Sequence, residues 1–247
     1  MSVRKLVLLL WVASVVESPA LARRKPPCAP DLATCPADGC SLPGSTHAIV
    51  NRLKRNLIDV AHALPVSVTD LVQLQRSAGA LVGENHEIPS ALRAQLGSLH
   101  VDGRRLGEGH AVRLAGYIVG RPHSPGSGES VNCRLHGPDN NDLHFNIAAT
   151  SDATAFSSVV AEMIPQHRRP GWTVAHLMDL AAARRQVLVV GQLLYDNGHE
   201  VNTDESAPLR NEPPRASLWE VHPVMELYLC ARDKCSAATK DGWVAVQ

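Results

Sequence analysis

The feature that most limits the fold of this chain is a two-residue alternation of apolar and polar side chains in its second half. In residues 142–148, Leu143, Phe145 and Ile147 share one parity, and Asp142, His144 and Asn146 share the other. Residues 217–230 repeat the pattern. Because successive side chains of a strand point to opposite faces, this period predicts strands with one face in the core and the other open to solvent or a ligand.

The order of the predicted elements indicates the fold class. Further strands are predicted at 111–120, 130–136, 158–164 and 187–195, and a helix capped by Thr173 precedes the last of these. This order predicts a β-rich α+β fold, a small OB-like Greek-key barrel of about five to six strands with one inserted helix. A sandwich is the alternative, because periodicity gives strands and not their pairing.

Helices are predicted before the barrel. Apolar residues recur at four-residue spacing after a cap at Ser45 or Thr46, a second helix follows Thr69, and a third begins near Pro89. These helices predict an N-terminal helical subregion that ends near the glycine-rich turn at 103–109.

The N-terminus has the order of charged, apolar and small residues that is typical of a secretion signal. Arg4 and Lys5 precede an apolar run at 6–16, and Ala20 and Ala22 form an A-x-A cleavage site. The run is shorter than the roughly 20 residues that span a bilayer. The sequence therefore predicts a cleaved signal and a secreted or periplasmic protein with no later transmembrane segment; an uncleaved anchor is the alternative.

The chain is thus expected to comprise five parts, which are the signal peptide at 1–22, a Pro- and Cys-rich arm at 23–45, the helical subregion at 46–102, the barrel domain at 103–235 and a C-terminal tail at 236–247.

Charge and cysteine content narrow the partners and the compartment. The chain has 24 basic and 24 acidic residues, so nucleic acid, which binds basic surfaces, is an unlikely partner. An unidentified small molecule or an envelope component is expected instead. Six cysteines in an exported chain favour disulfides. Cys230 with Cys235 is the preferred pair, and two of Cys28, Cys35 and Cys40 are expected to form another; zinc at these three is the alternative.

Several short motifs resemble one protein family. They are E-S-x-N-C at 129–133, D-x-H at 142–144 and L-W-E-x-H-P at 218–223, and they occur in the family's order. In these motifs the chain is similar to a family of uncharacterised secreted bacterial proteins. The resemblance implies homology and export, and it implies nothing about chemistry.

Two sets of polar residues are candidates for a site. Imidazole and carboxylate side chains that converge suit zinc, iron or manganese, and the alternative is that they face water on the outside of half-buried strands. The candidate metal ligands are Asp142, His144, Glu162 and His222, and the candidate ligand-binding residues are Asn132, Arg168, Asp196, His199 and Glu220.

Three of the candidate features have competing interpretations. Cys133 is a candidate nucleophile with His144 or His222, although a disulfide is favoured. The segment 196–199 equally predicts an ordinary Asn-Gly turn. Trp219 is either a stacking surface or a core residue, and its parity favours the core.

The sequence leaves three functions open. A non-catalytic binding or envelope-associated module is the leading hypothesis. A metal-dependent hydrolase acting on phosphoesters, with a divalent metal as cofactor, is the alternative. An oligonucleotide-binding barrel, inferred by analogy alone, ranks third. Phosphate-binding glycine loops, G-x-S-x-G and H-E-x-x-H motifs are absent from the sequence.

Overall fold

The computed structural model describes residues 25–83 and 86–247. The predicted signal peptide at 1–22 and the first two residues of the arm lie outside the described residues. Within the described part of the chain, no helix is both long enough and apolar enough to cross a membrane.

The described chain contains four α-helices and nine strands. In chain order they are α1 (Thr46–Lys54), β1 (Leu64–Val66), α2 (Val68–Val82), α3 (Ser90–Leu96), β2 (His100–Val101), β3 (Arg104–Arg105), β4 (Ala111–His123), β5 (Leu143–Ala148), β6 (Val159–Met163), α4 (Val174–Ala182), β7 (Gln186–Tyr195), β8 (Trp219–Cys230) and β9 (Trp243–Ala245). Short 3-10 helices lie at Pro138–Asn140 and Ala155–Ser157.

Five of these strands close into a barrel. Their order is β4-β5-β6-β8-β7, and β7 pairs with β4 to complete the ring. Strands β6 and β8 run parallel, with Ala161 opposite Val221, whereas the other neighbours in the barrel are antiparallel. Helix α4 connects β6 to β7. This is the predicted OB-like Greek-key barrel with its inserted helix, and closure between β4 and β7 excludes the open sandwich.

The apolar residues of the alternating segments fill the barrel interior, as predicted. Phe145 of β5 and Leu227 of β8 belong to the main apolar core. Trp219 is also buried in this core, and its ring lies 5.1 Å from that of Tyr195. The interpretation of Trp219 as an exposed stacking surface is therefore wrong.

Local capping explains where the helices begin. The Ser45 side chain accepts a hydrogen bond from the Ala48 amide at the start of α1. Ser67 and Asp70 form a capping box at the start of α2. Helix α1 ends at Lys54, so Leu57, which follows Leu53 at the same four-residue spacing, lies beyond the helix and is exposed.

The predicted strand at 130–136 is wrong. Cys133 and Arg134 have φ values of 54° and 55°, which belong to the left-handed region that a strand cannot use. The segment forms turns, in which the Arg134 amide donates to the Glu129 carbonyl. It belongs to a long loop between β4 and β5, residues 124–142, here called the β4–β5 loop.

All six cysteines are paired. Cys230 is bonded to Cys235, and two of the first three cysteines, Cys28 and Cys40, are bonded to each other, as the sequence suggested. Cys35 is bonded to Cys133, which joins the arm to the β4–β5 loop. A zinc site at the first three cysteines and a nucleophilic Cys133 are both wrong, because the sulfur atoms they require are already bonded.

Candidate metal centre

A row of ionisable side chains crosses the outer face of the barrel. The strand register sets His123 of β4 opposite His144 of β5, and His144 opposite Glu162 of β6. His222 of β8 follows Glu162 in the row, since Ala161 pairs with Val221. In OB barrels the face of the second and third strands, here β5 and β6, is the usual ligand-binding face.

The part of this face around Glu162 and His222 is covered, which contradicts the interpretation that these two residues lie in water. Glu162 and His222 are 0% exposed. The cover consists of α1 and the β4–β5 loop. Gln192 of β7 donates to the Leu53 carbonyl of α1, Asn132 of the loop donates to Asp142, and the arm is held to the loop by the bond from the Cys40 amide to the Ser130 carbonyl. Alternation predicted which face carries these residues, but it contains no information about what packs on that face.

Asp142, Glu162 and His222 form the more buried of two clusters. One candidate ligand atom from each residue lies within 4.8 Å of the others. Nε2 of His222 is 3.3 Å from Oδ2 of Asp142, and Nδ1 is 3.0 Å from Oε2 of Glu162. For bonds of about 2.0 to 2.2 Å to one ion, tetrahedral ligand atoms lie about 3.3 to 3.6 Å apart. The distance from Nε2 of His222 to Asp142 falls in this range, whereas Glu162 approaches the ring at its other nitrogen, Nδ1. With one ligand atom of each residue within 4.8 Å of the others, the three residues are close enough to share an ion.

Neighbouring side chains hold this cluster in place. Nδ1 of His222 is hydrogen-bonded to Oε1 of Glu220 at 3.1 Å, so Nε2 carries the lone pair when the ring is neutral. Asn132 donates to Oδ1 of Asp142 at 2.8 Å, which leaves Oδ2 free. Metal-binding histidines and carboxylates are typically oriented in this way by a second layer of hydrogen bonds.

Glu129, His144 and Glu162 form the second cluster. Nε2 of His144 is 3.3 Å from Oε1 of Glu129, and Nδ1 is 3.1 Å from Oε1 of Glu162. The side chains of His144 and Glu129 are 16% and 22% exposed, so this cluster reaches solvent. The set of four ligands predicted from the sequence is therefore divided into two groups, and Glu162 belongs to both.

Several atoms of the two clusters are close together without being aligned for hydrogen bonds. They are buried and lack a hydrogen-bond partner, and they comprise Oδ2 of Asp142, Nε2 of His144, both carboxylate oxygens of Glu162 and Nε2 of His222. Buried polar groups are nearly always hydrogen-bonded, because an unsatisfied one costs about 1–3 kcal/mol. Buried carboxylate and imidazole groups that converge in this way attract positive charge, which either protons on the imidazoles or a bound metal ion can supply.

The electrostatics of the clusters also favour positive charge. Burial lowers the pKa of His144, but the carboxylates of Glu162 and Glu129 outweigh burial and raise that pKa to about 9. For His222, the carboxylates led by Glu162 likewise overcome burial and raise the pKa well above its usual value. Burial would raise the pKa of Glu162, yet the charges of His144, His222 and Lys54 hold it well below its usual range.

Two more cations border the cluster. Nζ of Lys54 in α1 lies 2.7 Å from Oδ2 of Asp196. Burial lowers the pKa of Lys54, but the charges of Asp196, Glu162 and Glu220 raise it well above its usual value. Arg215 lies 3.6 Å from Oε2 of Glu220. Burial, together with the charges of Glu162 and Asp196, raises the pKa of Glu220.

Sequence reasoning missed Glu129, Lys54 and Arg215. Glu129 begins the E-S-x-N-C motif, three residues before the candidate Asn132. The turn at 129–134 brings both residues beside Asp142. The motif therefore indicated Glu129 as a candidate beside Asn132, but the wrong prediction of a strand at 130–136 concealed that the two residues lie together. Lys54 and Arg215 had no comparable local signal, because their partners are distant in sequence.

The remaining candidates have different positions. Asn132, Asp196 and Glu220 border the clusters through the contacts above, whereas Arg168 donates to the Pro138 carbonyl in an exposed setting. His199 contacts Glu212 and lines a separate cavity of about 520 Å³ beside α2. The Gly198 amide donates to Oδ1 of Asp196, as in the turn that the Asn-Gly pair suggested.

Fold and site together define a disulfide-bonded OB-like barrel protein with a buried histidine–carboxylate cluster on the outer face of β5, β6 and β8. No protein-family model and no curated protein matches this chain.

Proposed function

We propose that this protein is a secreted or periplasmic binding module that holds a divalent transition-metal ion at Asp142, Glu162 and His222. The observation that carries the proposal is the cluster of Asp142, Glu162 and His222, in which one ligand atom of each residue lies within 4.8 Å of the others. Oδ2 of Asp142, both oxygens of Glu162 and Nε2 of His222 are buried without a hydrogen-bond partner. The other polar atoms of Asp142 and His222 are already held by Asn132 and Glu220.

The donor set narrows the choice of metal. One imidazole with two carboxylates suits zinc, manganese or iron(II) better than calcium, which prefers six to eight oxygen ligands. Three protein ligands leave at least one coordination position for water or for a ligand oxygen. The proposed ion is zinc or manganese, with at least one coordination position left open inside this buried site.

Export is part of the proposal. It is supported by the charged, apolar and small residues of the N-terminus. It is also supported by three disulfides, which persist in oxidising compartments. The resemblance to secreted bacterial proteins agrees with the same setting.

A metal-retention experiment tests the proposal. The disulfide-bonded chain is treated with EDTA, loaded separately with Zn²⁺ and Mn²⁺, desalted and analysed for bound metal. We expect at least one retained equivalent of one of these ions. Glu162→Gln, which keeps the shape and removes the charge, should lose it, and His222→Ala should do the same.

His199→Ala is the matched control, because His199 is also paired with a glutamate but lies outside the cluster. It should retain the metal of the parent chain. Thermal unfolding of each variant verifies that it is folded. If the folded parent retains neither ion, or if Glu162→Gln retains as much as the parent, the proposal is wrong.

A metal-dependent hydrolase acting on phosphoesters is the second candidate. Its support is the solvent exposure of His144 and Glu129 beside the shared Glu162, which gives a substrate a route to the cluster. A bound divalent ion can lower the pKa of coordinated water to about 7. Turnover of bis-p-nitrophenyl phosphate by the metal-loaded parent, lost in Glu162→Gln, would support hydrolysis; a fully loaded parent without turnover on phosphodiester and phosphomonoester probes would contradict it.

A further inference from the structure

We propose that Glu162 bridges two metal positions and that Glu129 and His144 complete the second one. This inference rests on the proposed function, in which the first ion binds Asp142, Glu162 and His222. It adds a second ion of the same class on the solvent side of the first. That ion would take an anionic oxygen ligand such as phosphate.

The carboxylate of Glu162 lies between the two clusters. Its Oε1 is 3.1 Å from the His144 ring, and its Oε2 is 3.0 Å from the His222 ring, so the two oxygens face different imidazoles. Its side chain is 1% exposed, and neither oxygen has an aligned hydrogen bond. One ion would satisfy one of these oxygens, whereas a bridged pair satisfies both.

Glu129 is arranged like a metal ligand rather than a surface acid. Its Oε2 accepts a 2.9 Å hydrogen bond from the backbone amide of Asp142. Its Oε1 is left near Nε2 of His144, an atom that is buried without a hydrogen-bond partner. Oε1 of Glu129, a ring nitrogen of His144 and Oε1 of Glu162 are thus the three donors of the second position, and one ligand atom of each residue lies within 4.8 Å of the others.

A single amide couples the two positions. Nδ2 of Asn132 lies 2.8 Å from Oδ1 of Asp142 and 3.3 Å from Oε2 of Glu129, so it orients one ligand of each position. Ions that share a bridging carboxylate are typically about 3.5–4 Å apart, the spacing of two-metal sites that bind phosphate oxygens. The exposure of Glu129 and His144 leaves the second ion open to such a ligand.

Counting bound metal in matched variants tests the inference. The parent chain should bind two equivalents of Mn²⁺, and its electron paramagnetic resonance spectrum should show a spin-coupled pair. Glu129→Gln and His144→Ala should each bind one equivalent and give an uncoupled spectrum. His123→Ala is the control, because the exposed His123 ring lies 5.3 Å from that of His144 but belongs to neither cluster; it should retain two equivalents.

The outcomes separate the two proposals. One equivalent in the parent, kept by Glu129→Gln, overturns the second position and leaves the proposed function intact. Two equivalents in both the parent and a folded Glu129→Gln variant also overturn it, because the second ion then lies elsewhere. If neither Mn²⁺ nor Zn²⁺ is retained by the folded parent, both proposals fail. Inorganic phosphate should perturb the spectrum of the parent and leave that of His144→Ala unchanged.

Discussion

Asn132 donates a 2.8 Å hydrogen bond to Oδ1 of Asp142, and this bond leaves Oδ2 of the carboxylate beside Nε2 of His222. Asn132 is itself held, because Gln166 donates to its Oδ1 at 3.1 Å. The amide therefore sets the direction of a proposed metal ligand without contacting the ion.

Replacing Asn132 with alanine should weaken metal binding and leave the ligands in place. Loss of such a supporting hydrogen bond typically lowers metal affinity about 10–100-fold. Competition against a chromogenic chelator measures this change. Gln166→Ala, which removes only the support of Asn132, should cause a smaller loss. Equal affinity of Asn132→Ala and the parent chain would contradict the positioning role.

Removing the Lys54 charge should destabilise the fold. Lys54 and Asp196 are 15% and 4% exposed, so Lys54→Met leaves a buried carboxylate without its cation. Breaking such a pair costs about 3–5 kcal/mol, and urea denaturation of the EDTA-treated chain measures it. Arg52→Met is the control, because Arg52 pairs with Asp38 at an exposed position, where ion pairs contribute up to about 1 kcal/mol. Similar losses in both variants would contradict the prediction.

Asp196 should make the free energy of unfolding of the chain decrease at acidic pH. Burial alone would raise the pKa of Asp196, but the ammonium of Lys54 outweighs it and holds that pKa well below the usual range. The stabilisation is therefore present above the unfolded value of about 3.9 and is lost as the pH falls toward the folded pKa.

The variant Asp196→Asn tests this dependence. In EDTA it should be less stable than the parent at pH 7. The difference in unfolding free energy should shrink below about pH 4, because there Asp196 becomes protonated in the unfolded parent while it is still ionised in the folded one. Urea denaturation at a series of pH values measures the difference. A constant difference from pH 7 to pH 3 would show that the ionised Asp196 side chain is not the source of this pH dependence.

The barrel strands were predictable because their signal is local. In β5, residues two apart share a face, so Phe145 had to lie inside the barrel if His144 lay outside. The same rule assigned Glu220 and His222 to one face of β8. Pairing does not follow from this rule, and the neighbours of β5 in the barrel became known only from the structure.

The β4–β5 loop shows where a local signal misleads. Val131, Cys133 and Leu135 share one parity and are all buried, as they would be in a strand, but Asn132 between them is buried as well. The conformation of the loop is fixed by the bond from Cys133 to Cys35, which is 98 residues away in sequence. A local period cannot reveal such a distant constraint, and Glu129 was missed for the same reason.

The Cys35–Cys133 disulfide should matter more than the Cys230–Cys235 disulfide, both for stability and for the site. The first closes a separation of 98 residues and the second closes 5. Chain entropy then gives stabilisations of about 4.7 and about 2 kcal/mol. We expect the double variant Cys35→Ala/Cys133→Ala to show the larger loss in guanidinium denaturation. Metal affinity should fall only in this variant, because its bond anchors the loop that carries Glu129 and Asn132. Equal losses of stability and unchanged metal affinity in the two double variants would show that the arm does not hold the site.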